Sequence, residues 1–185
     1  MIFFELTVFA LFILIIVSIV WSTIRTGISP MQSSGKARHA MIAAIENAGS
    51  GDFIELGSGL GVLACDLARA YPDRIVIGYE LSFVPWFFSV ILKKMFGLKN
   101  LSFYRKDFTK ANFDNAAVLF CYLFPGGMIS LENKLKRELD HDALIISNTF
   151  AFPSFKAEKT TRLKDVYRTP VYVYFWKPVI PVETH

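Results

Sequence analysis

The stretch DFIELGSGLGVLACDLARAY, residues 52–71, decides the fold. Its first five residues form a short apolar run between Gly51 and Gly57, which reads as a buried strand over Asp52–Leu56. Leu60, Leu63, Ala64, Leu67, Ala68 and Tyr71 then recur at helical spacing until Pro72 stops them. The unit is therefore strand, glycine turn, helix, and at such a turn a backbone without Cβ atoms can approach a ligand closely. Spacing narrows the ligand. A dinucleotide fingerprint, GxGxxG, would need its third glycine at position 62, where Val62 stands. The pattern present is ExGxGxG, from Glu55 through Gly57, Ser58 and Gly59 to Gly61.

The same alternation continues downstream. RIVIGYE, residues 74–80, reads as a second strand, followed by a helix through FVPWFFSVILKKMF that Gly97 closes. Third and fourth strands are expected at residues 101–104 and 116–120, and a fifth at 142–148. Before the fifth, Met128, Leu131, Leu135 and Leu139 form a helical stripe with Lys134, Lys136 and Arg137 expected on the opposite face. Residues 161–168 and 171–176 are strand-like runs joined by Thr169-Pro170, suggesting a terminal antiparallel hairpin. Upstream, Ala37, Ala40, Met41, Ala44, Ile45 and Ala48 predict one amphipathic helix before the main fold. The whole is a mostly parallel sheet covered on both faces, with ligand at the carboxyl ends of its strands.

A length of 185 residues suits one compact domain, and 53% hydrophobic against 19% charged residues excludes intrinsic disorder. The apolar excess is concentrated at the start, where 19 of the first 24 residues are apolar. Residues 2–24 run 23 positions with Glu5 as the one charge, enough to span a hydrocarbon core of about 30 Å. The segment reads as a transmembrane anchor, residues 1–25, ahead of a domain over 26–185. Neither the basic start nor the cleavage site of a signal peptide is present. Arg25, Lys36 and Arg38 follow the segment and nothing basic precedes it, so a single-pass chain with its domain on the cytoplasmic or equivalent side is expected. A net charge of +4 without a long basic run argues against a nucleic-acid partner. Cys65 and Cys121, 56 positions apart, offer neither a disulfide framework nor a CxxC metal site, and no metal is expected.

ExGxGxG at a strand-to-helix turn, within five alternating strands and a closing hairpin, resembles motif I of the class I S-adenosylmethionine-dependent methyltransferases. That resemblance implies a Rossmann-like sheet and S-adenosyl-L-methionine as cofactor. The glycines would pass under its methionine part, and Glu55 would order the loop. Two further acidic positions fall in register. Glu80, ending the second strand, offers two acceptor oxygens to the ribose hydroxyls, although a helix cap or ion pair would use it equally well. Asp107-Phe108, after the third strand, stands where methyltransferases commonly bind adenine; taken singly, Asp107 is a surface carboxylate.

At the end of the fourth strand, where the acceptor normally lies, the sequence is LFCYLFP, residues 119–125. It lacks the [DNS]PP[YF] signature of amide and base-amine methylation. Cys121 reads as a buried packing residue, and Tyr122 is the candidate catalytic side chain, its hydroxyl offered to an amine, with a core tyrosine as the alternative. His39, His141 and His185 are scattered and form no catalytic pair. Methyl transfer from a sulfonium needs in-line approach and an unprotonated nucleophile more than acid–base residues.

The apolar start, the Ser29-Pro30 break, ExGxGxG, GYELS and the run VLFCYLFPGGMISLENKLKRELDHDALIISNTFAFP look like the small membrane-anchored protein-lysine methyltransferases that modify the c subunit of ATP synthase and the adenine nucleotide translocase. The resemblance implies a cofactor role for Glu55, Gly57, Gly59, Gly61 and Glu80, and a cofactor lid from Pro30 to Ser34, where ISPMQSS replaces a more aromatic motif. Three functions stay open. They are lysine methylation of a protein at or in a membrane, methylation of a lipid headgroup or quinone-like molecule, and a cofactor-binding module without activity. The second is suggested by Trp86, Phe87, Phe88, Lys93 and Lys94, a set suited to a bilayer interface unless that helix is simply buried against the sheet.

Overall fold

The computed structural model describes residues 33–46 and 48–178, together with residues 4, 5, 7 and 9. From Ser33 onward it contains, among the described residues, four helices, α1 (Gly35–Ala43), α2 (Val62–Ala70), α3 (Phe83–Met95) and α4 (Pro125–Glu138). The strands are β1 (Asp52–Leu56), β2 (Val76–Tyr79), β3 (Leu101–Tyr104), β4 (Ala116–Cys121), β5 (Ala143–Asn148), β6 (Lys159–Arg162) and β7 (Pro170–Trp176). They form one sheet in the order β3-β2-β1-β4-β5-β7-β6. The first five are parallel; β7 lies antiparallel to β5 and β6. The strand order reverses between β1 and β4, the switch point where open α/β sheets bind ligands.

Both faces of the parallel strands are buried, which is why β4 and β5 are apolar along nearly their whole length instead of alternating. Ile54, Leu56, Leu119 and Ile145 face α4 through Met128, Leu131 and Leu135. Phe53, Val76, Phe120 and Ile146 face the other side with Met41, Leu63 and Leu67 of α1 and α2. At roughly 1.5–3 kcal/mol per buried large side chain, these two layers supply the main folding force.

Two expectations are revised by packing. Lys134 is not on a solvated face: its side chain is buried, ion-paired with Glu138, and its ammonium lies 4.8 Å from the centre of the Phe113 ring. Glu132 is likewise buried and paired with Lys136 at 2.6 Å. The first hairpin strand ends at Arg162, because Asp165 turns the chain by accepting the Thr169 backbone N–H and hydroxyl at 2.8 and 2.6 Å.

The membrane-spanning expectation over residues 2–24 falls almost entirely outside the described residues, as does most of the lid segment from Pro30 to Ser34. Phe4, Glu5, Thr7 and Phe9 are helical and exposed. Among the described residues, no helix is long and apolar enough to cross a membrane.

Candidate functional site

The glycine turn is held from below by the neighbouring strand. Gly57 and Ser58 both donate their backbone N–H groups to the Tyr79 carbonyl at 2.9 Å, and the Gly61 N–H closes the turn on the Ser58 carbonyl at 2.8 Å. Gly57, Gly59 and Gly61 have φ of 70°, 53° and 75°, a left-handed backbone that side chains disfavour by about 1–2 kcal/mol each. They differ in what a side chain would meet. A Cβ at Gly61 would stand 2.7 Å from Cε1 of Phe103 and 2.8 Å from Cβ of Ser89, so this glycine exists for close packing against β3 and α3. At Gly57 the neighbour is Leu123, 3.3 Å away, whereas at Gly59 nothing lies within 4 Å. The open side of the turn is therefore at Gly59.

Gly61 caps α2 without a side-chain hydrogen bond, which leaves the first N–H groups of the helix without the usual partner. Glu55 supplies one, accepting the Ala64 N–H at 3.0 Å from within the sheet. Burial pushes its carboxyl up to about 8, against the lowering effect of the Ala64 bond and with a further rise from the charge of Glu80.

Glu80, just past β2, bridges two segments. Its Oε2 accepts the Gly59 N–H at 2.8 Å and its Oε1 accepts the Ser82 N–H at 2.7 Å, at the start of α3. Each oxygen keeps a second lone pair for another donor. Ribose acceptor and helix cap, alternatives in the sequence, are compatible in the fold: the carboxylate holds the helix start and the glycine turn together while retaining acceptor capacity. Beside it, Ser58 is buried and its hydroxyl has no hydrogen-bond partner among the described residues.

Asp107 caps a 3-10 turn over Phe108–Lys110, its Oδ1 accepting the Thr109 N–H and hydroxyl at 2.9 and 2.8 Å. Phe108 packs half-buried on the α4 side of the core. All of these groups lie at the carboxyl ends of β1, β2 and β3.

The ends of β4 and β5 differ in kind. Tyr122 stacks on Phe150 with ring centres 6.1 Å apart and an interplanar angle of 22°. Cys121 is buried, its sulfur 3.9 Å from that of Met128, and burial pushes its thiol up to about 12, which excludes a thiolate nucleophile at neutral pH. The turn after β5 is tight. Ser147 Oγ donates to the Phe150 carbonyl at 2.6 Å, and Thr149 sits at φ 69°, strained for a β-branched residue. Asn148, buried, donates to Ser33 Oγ at 2.9 Å, so the chain leading out of the N-terminal segment is pinned over this side. Phe103, Phe150 and Asn148 were missed in the sequence. Gly78 in mid-strand was the one available signal, since a Cβ there would stand 2.5 Å from the Phe103 ring.

A cleft of about 870 Å³, lined by Ala143, Leu144, Phe155 and Trp176, opens at the amino ends of the parallel strands, away from all these groups. Among the described residues no three His, Cys, Asp or Glu side chains gather as a metal site.

A family profile described as the ANTKMT methyltransferase domain matches residues 55–159. The chain is 32% identical over 114 residues to the Homo sapiens lysine N-methyltransferase of the ATP synthase c subunit, covering 60% of this chain and 47% of that protein. Against the Rattus norvegicus protein of the same name the identity is 31% over 115 residues, with 60% and 51% covered. The chain thus spans about half the length of the curated relatives it matches. In solved structures, an RNA methyltransferase from Salinibacter ruber in complex with S-adenosyl-L-homocysteine superposes with a TM-score of 0.72 at 20% identity, covering 84% of this chain and 99% of that one. Precorrin-6y C5,15-methyltransferase from Geobacter metallireducens GS-15 gives 0.59 at 11% identity, covering 80% and 93%. At such identities the superpositions carry the architecture alone, but the family profile, with its first residue at Glu55 of the glycine turn, covers more than half the sequence. The chain belongs to the ANTKMT methyltransferase domain family and has the class I S-adenosylmethionine-dependent methyltransferase fold.

Proposed function

We propose that this protein transfers a methyl group from S-adenosylmethionine to a lysine side chain of a protein at or in a membrane. The observation that carries the reading is Glu80 fastened to the Gly59 and Ser82 N–H groups beside the one glycine of the turn with open space above it. The buried, unpartnered Ser58 hydroxyl adds hydrogen-bonding capacity at the same turn. This donor and acceptor set fits the cofactor. Glu80 would receive the ribose hydroxyls, Gly57 to Gly61 would underlie the methionine part, and Asp107 with Phe108 would hold adenine.

The bound cofactor supplies an electrophilic methyl on a sulfonium, so the chain's own task is to deliver a nucleophile. Tyr122 is the acceptor-side candidate, its hydroxyl oxygen accepting a hydrogen bond from the incoming amine while its ring rests on Phe150. Support for lysine as acceptor comes from the named activity of the curated relatives. In the proposed arrangement residues 1–25 anchor the chain, and residues 26–185 form the catalytic domain on the cytoplasmic or equivalent side. Tethering raises the effective concentration of membrane-bound acceptors without any new contact.

The test is transfer of labelled methyl from S-adenosylmethionine into a membrane fraction, followed by separation of protein from lipid. Label in protein that disappears after lysine blocking supports the proposal, with a rate climbing from about pH 7 toward 9 as an amine of ordinary pKa near 10.4 deprotonates. Label in the organic phase redirects the assignment to a lipid or quinone-like acceptor, which the exposed aromatic face of α3 favours. Cofactor binding without label in either fraction makes the protein a binding module.

A further inference from the structure

Helix α3 turns much of its apolar surface outward. Phe83, Phe87, Ile91 and Met95 repeat every fourth residue along one side, with Phe88 next to them. They are 52%, 47%, 37%, 74% and 49% exposed, while Trp86 faces inward and donates its ring N–H to the Phe103 carbonyl at 3.3 Å. The rings form one surface: Phe83 stacks on Phe87 at 6.0 Å and Phe87 meets Phe88 edge-on at 6.1 Å. Leu81 and Tyr104, both about half exposed, extend it to the carboxyl ends of β2 and β3. A contiguous apolar face of this kind on a folded domain marks an interaction site.

Charge identifies the partner. Residues 81–106 contain Lys93, Lys94, Lys99, Arg105 and Lys106 and no acidic residue. Of 20 basic and 16 acidic residues in the chain, the remainder outside this segment is therefore 15 basic against 16 acidic, so the net +4 resides here. The Arg105 guanidinium lies 5.6 Å from the centre of the Phe83 ring, joining cation and aromatic in one surface. Exposed aromatics with basic residues and no acids are the composition that enters an anionic bilayer interface.

We infer that the outward face of α3, from Phe83 to Met95, is a docking surface for an anionic lipid bilayer. Ser33, where the described chain resumes after the apolar N-terminal stretch, is pinned to Asn148 at the end of β5. That is four strands away from β3, or roughly 19 Å at 4.7–4.9 Å per strand. With α3 on the bilayer and Ser33 held at β5, these two points would flank the strand ends from opposite sides, so contact at α3 would turn the site's mouth toward the membrane surface. This orienting role rests on the function proposed above, whereas the docking surface itself does not. The readout is position on the bilayer, so a failure here leaves the assignment of methyl transfer untouched.

The full chain carrying bimane on Ile91→Cys, or on Ser130→Cys of α4 as control, is incorporated into phosphatidylcholine vesicles with or without phosphatidylglycerol. Cys65 and Cys121 are buried, and burial pushes their thiols up to about 11 and about 12, so the introduced thiol reacts first. Position 91 is expected to shift to the blue and to be quenched by nitroxide-bearing acyl chains in the anionic vesicles, with position 130 unchanged. Lys94→Ala and Lys99→Ala should each lower the docked equilibrium about fivefold, from ~1 kcal/mol per basic residue at such a surface. Emission at 91 as aqueous as at 130 overturns the inference. So does a blue shift that lipid-borne nitroxide fails to quench, which means that a second copy or the N-terminal segment covers the face. Equal quenching with and without phosphatidylglycerol overturns the anionic assignment. If Ile91→Cys does not fold, Met95→Cys on the same stripe takes its place.

Discussion

The two halves of the site are built in different ways. At the ends of β1 to β3, polar groups are fixed by backbone: Glu80 by Gly59 and Ser82, Glu55 by Ala64, Asp107 by Thr109. At the ends of β4 and β5, Tyr122 rests on Phe150 and the turn after Asn148 is held by Ser147 and Ser33. A ligand of fixed chemistry can be met by short-range, directional bonds written into one turn. At the ends of β4 and β5 the contacts instead join distant parts of the chain, Tyr122 with Phe150 and Asn148 with Ser33.

Within the first half the largest contrast is between two glycines of one turn. Gly61→Ala should destabilise the fold by about 3 kcal/mol or more, combining a left-handed alanine with overpacking against Phe103. Gly59→Val should leave thermal unfolding cooperative, with a loss of about 1–2 kcal/mol from its left-handed backbone, yet abolish S-adenosylmethionine binding by calorimetry. Normal binding by the valine variant would make the turn purely structural and collapse the distinction between the halves. Next in size is Glu80→Gln, expected to weaken the cofactor more than tenfold, since hydrogen bonds to a charged group are worth about 1.5–3 kcal/mol. An unchanged Kd would remove Glu80 from the cofactor.

Tyr122→Phe probes the second half. It keeps the ring on Phe150 and removes one hydroxyl, so kcat should fall about fivefold, the worth of a hydrogen bond at ~1 kcal/mol, with cofactor Kd unchanged. A change in Kd instead would move Tyr122 to the cofactor side. A further contrast is in pH dependence. Burial raises the Glu55 carboxyl to about 8, so the folded state holds its proton more tightly than the unfolded chain. The stability linked to that proton is complete below the ordinary carboxylate range and is lost as pH rises toward about 8. Denaturant midpoints should decline over this interval and level off above it. Glu55→Gln should flatten the slope, and a slope that survives the substitution would assign it to other groups.

Much of the first half could be read from residues alone. Gly57, Gly59 and Gly61 announce a left-handed turn, and Glu80 falls at the next strand end because strand and helix lengths set its register. The alternating elements, the hairpin and most helix faces follow from the same periodicities, since local spacing fixes which side of an element is apolar. Lys134 and Glu132 depart from that pattern because their burial depends on Phe113 and on ion pairs made within the folded helix layer.

The division of labour among the glycines was decided by Phe103, a residue 42 positions from Gly61, and no local pattern marks which glycine faces a ring and which faces space. The outward turn of Phe83 and Phe87 and the inward turn of Trp86 likewise depend on where β3 sits. The stacking of Tyr122 on Phe150 and the tie from Asn148 to Ser33 join segments 28 and 115 residues apart. Periodicity carries information over a few residues, which is enough to specify an element and its buried side. Which partner meets that side is set only when the whole sheet closes and excludes water from every competing arrangement.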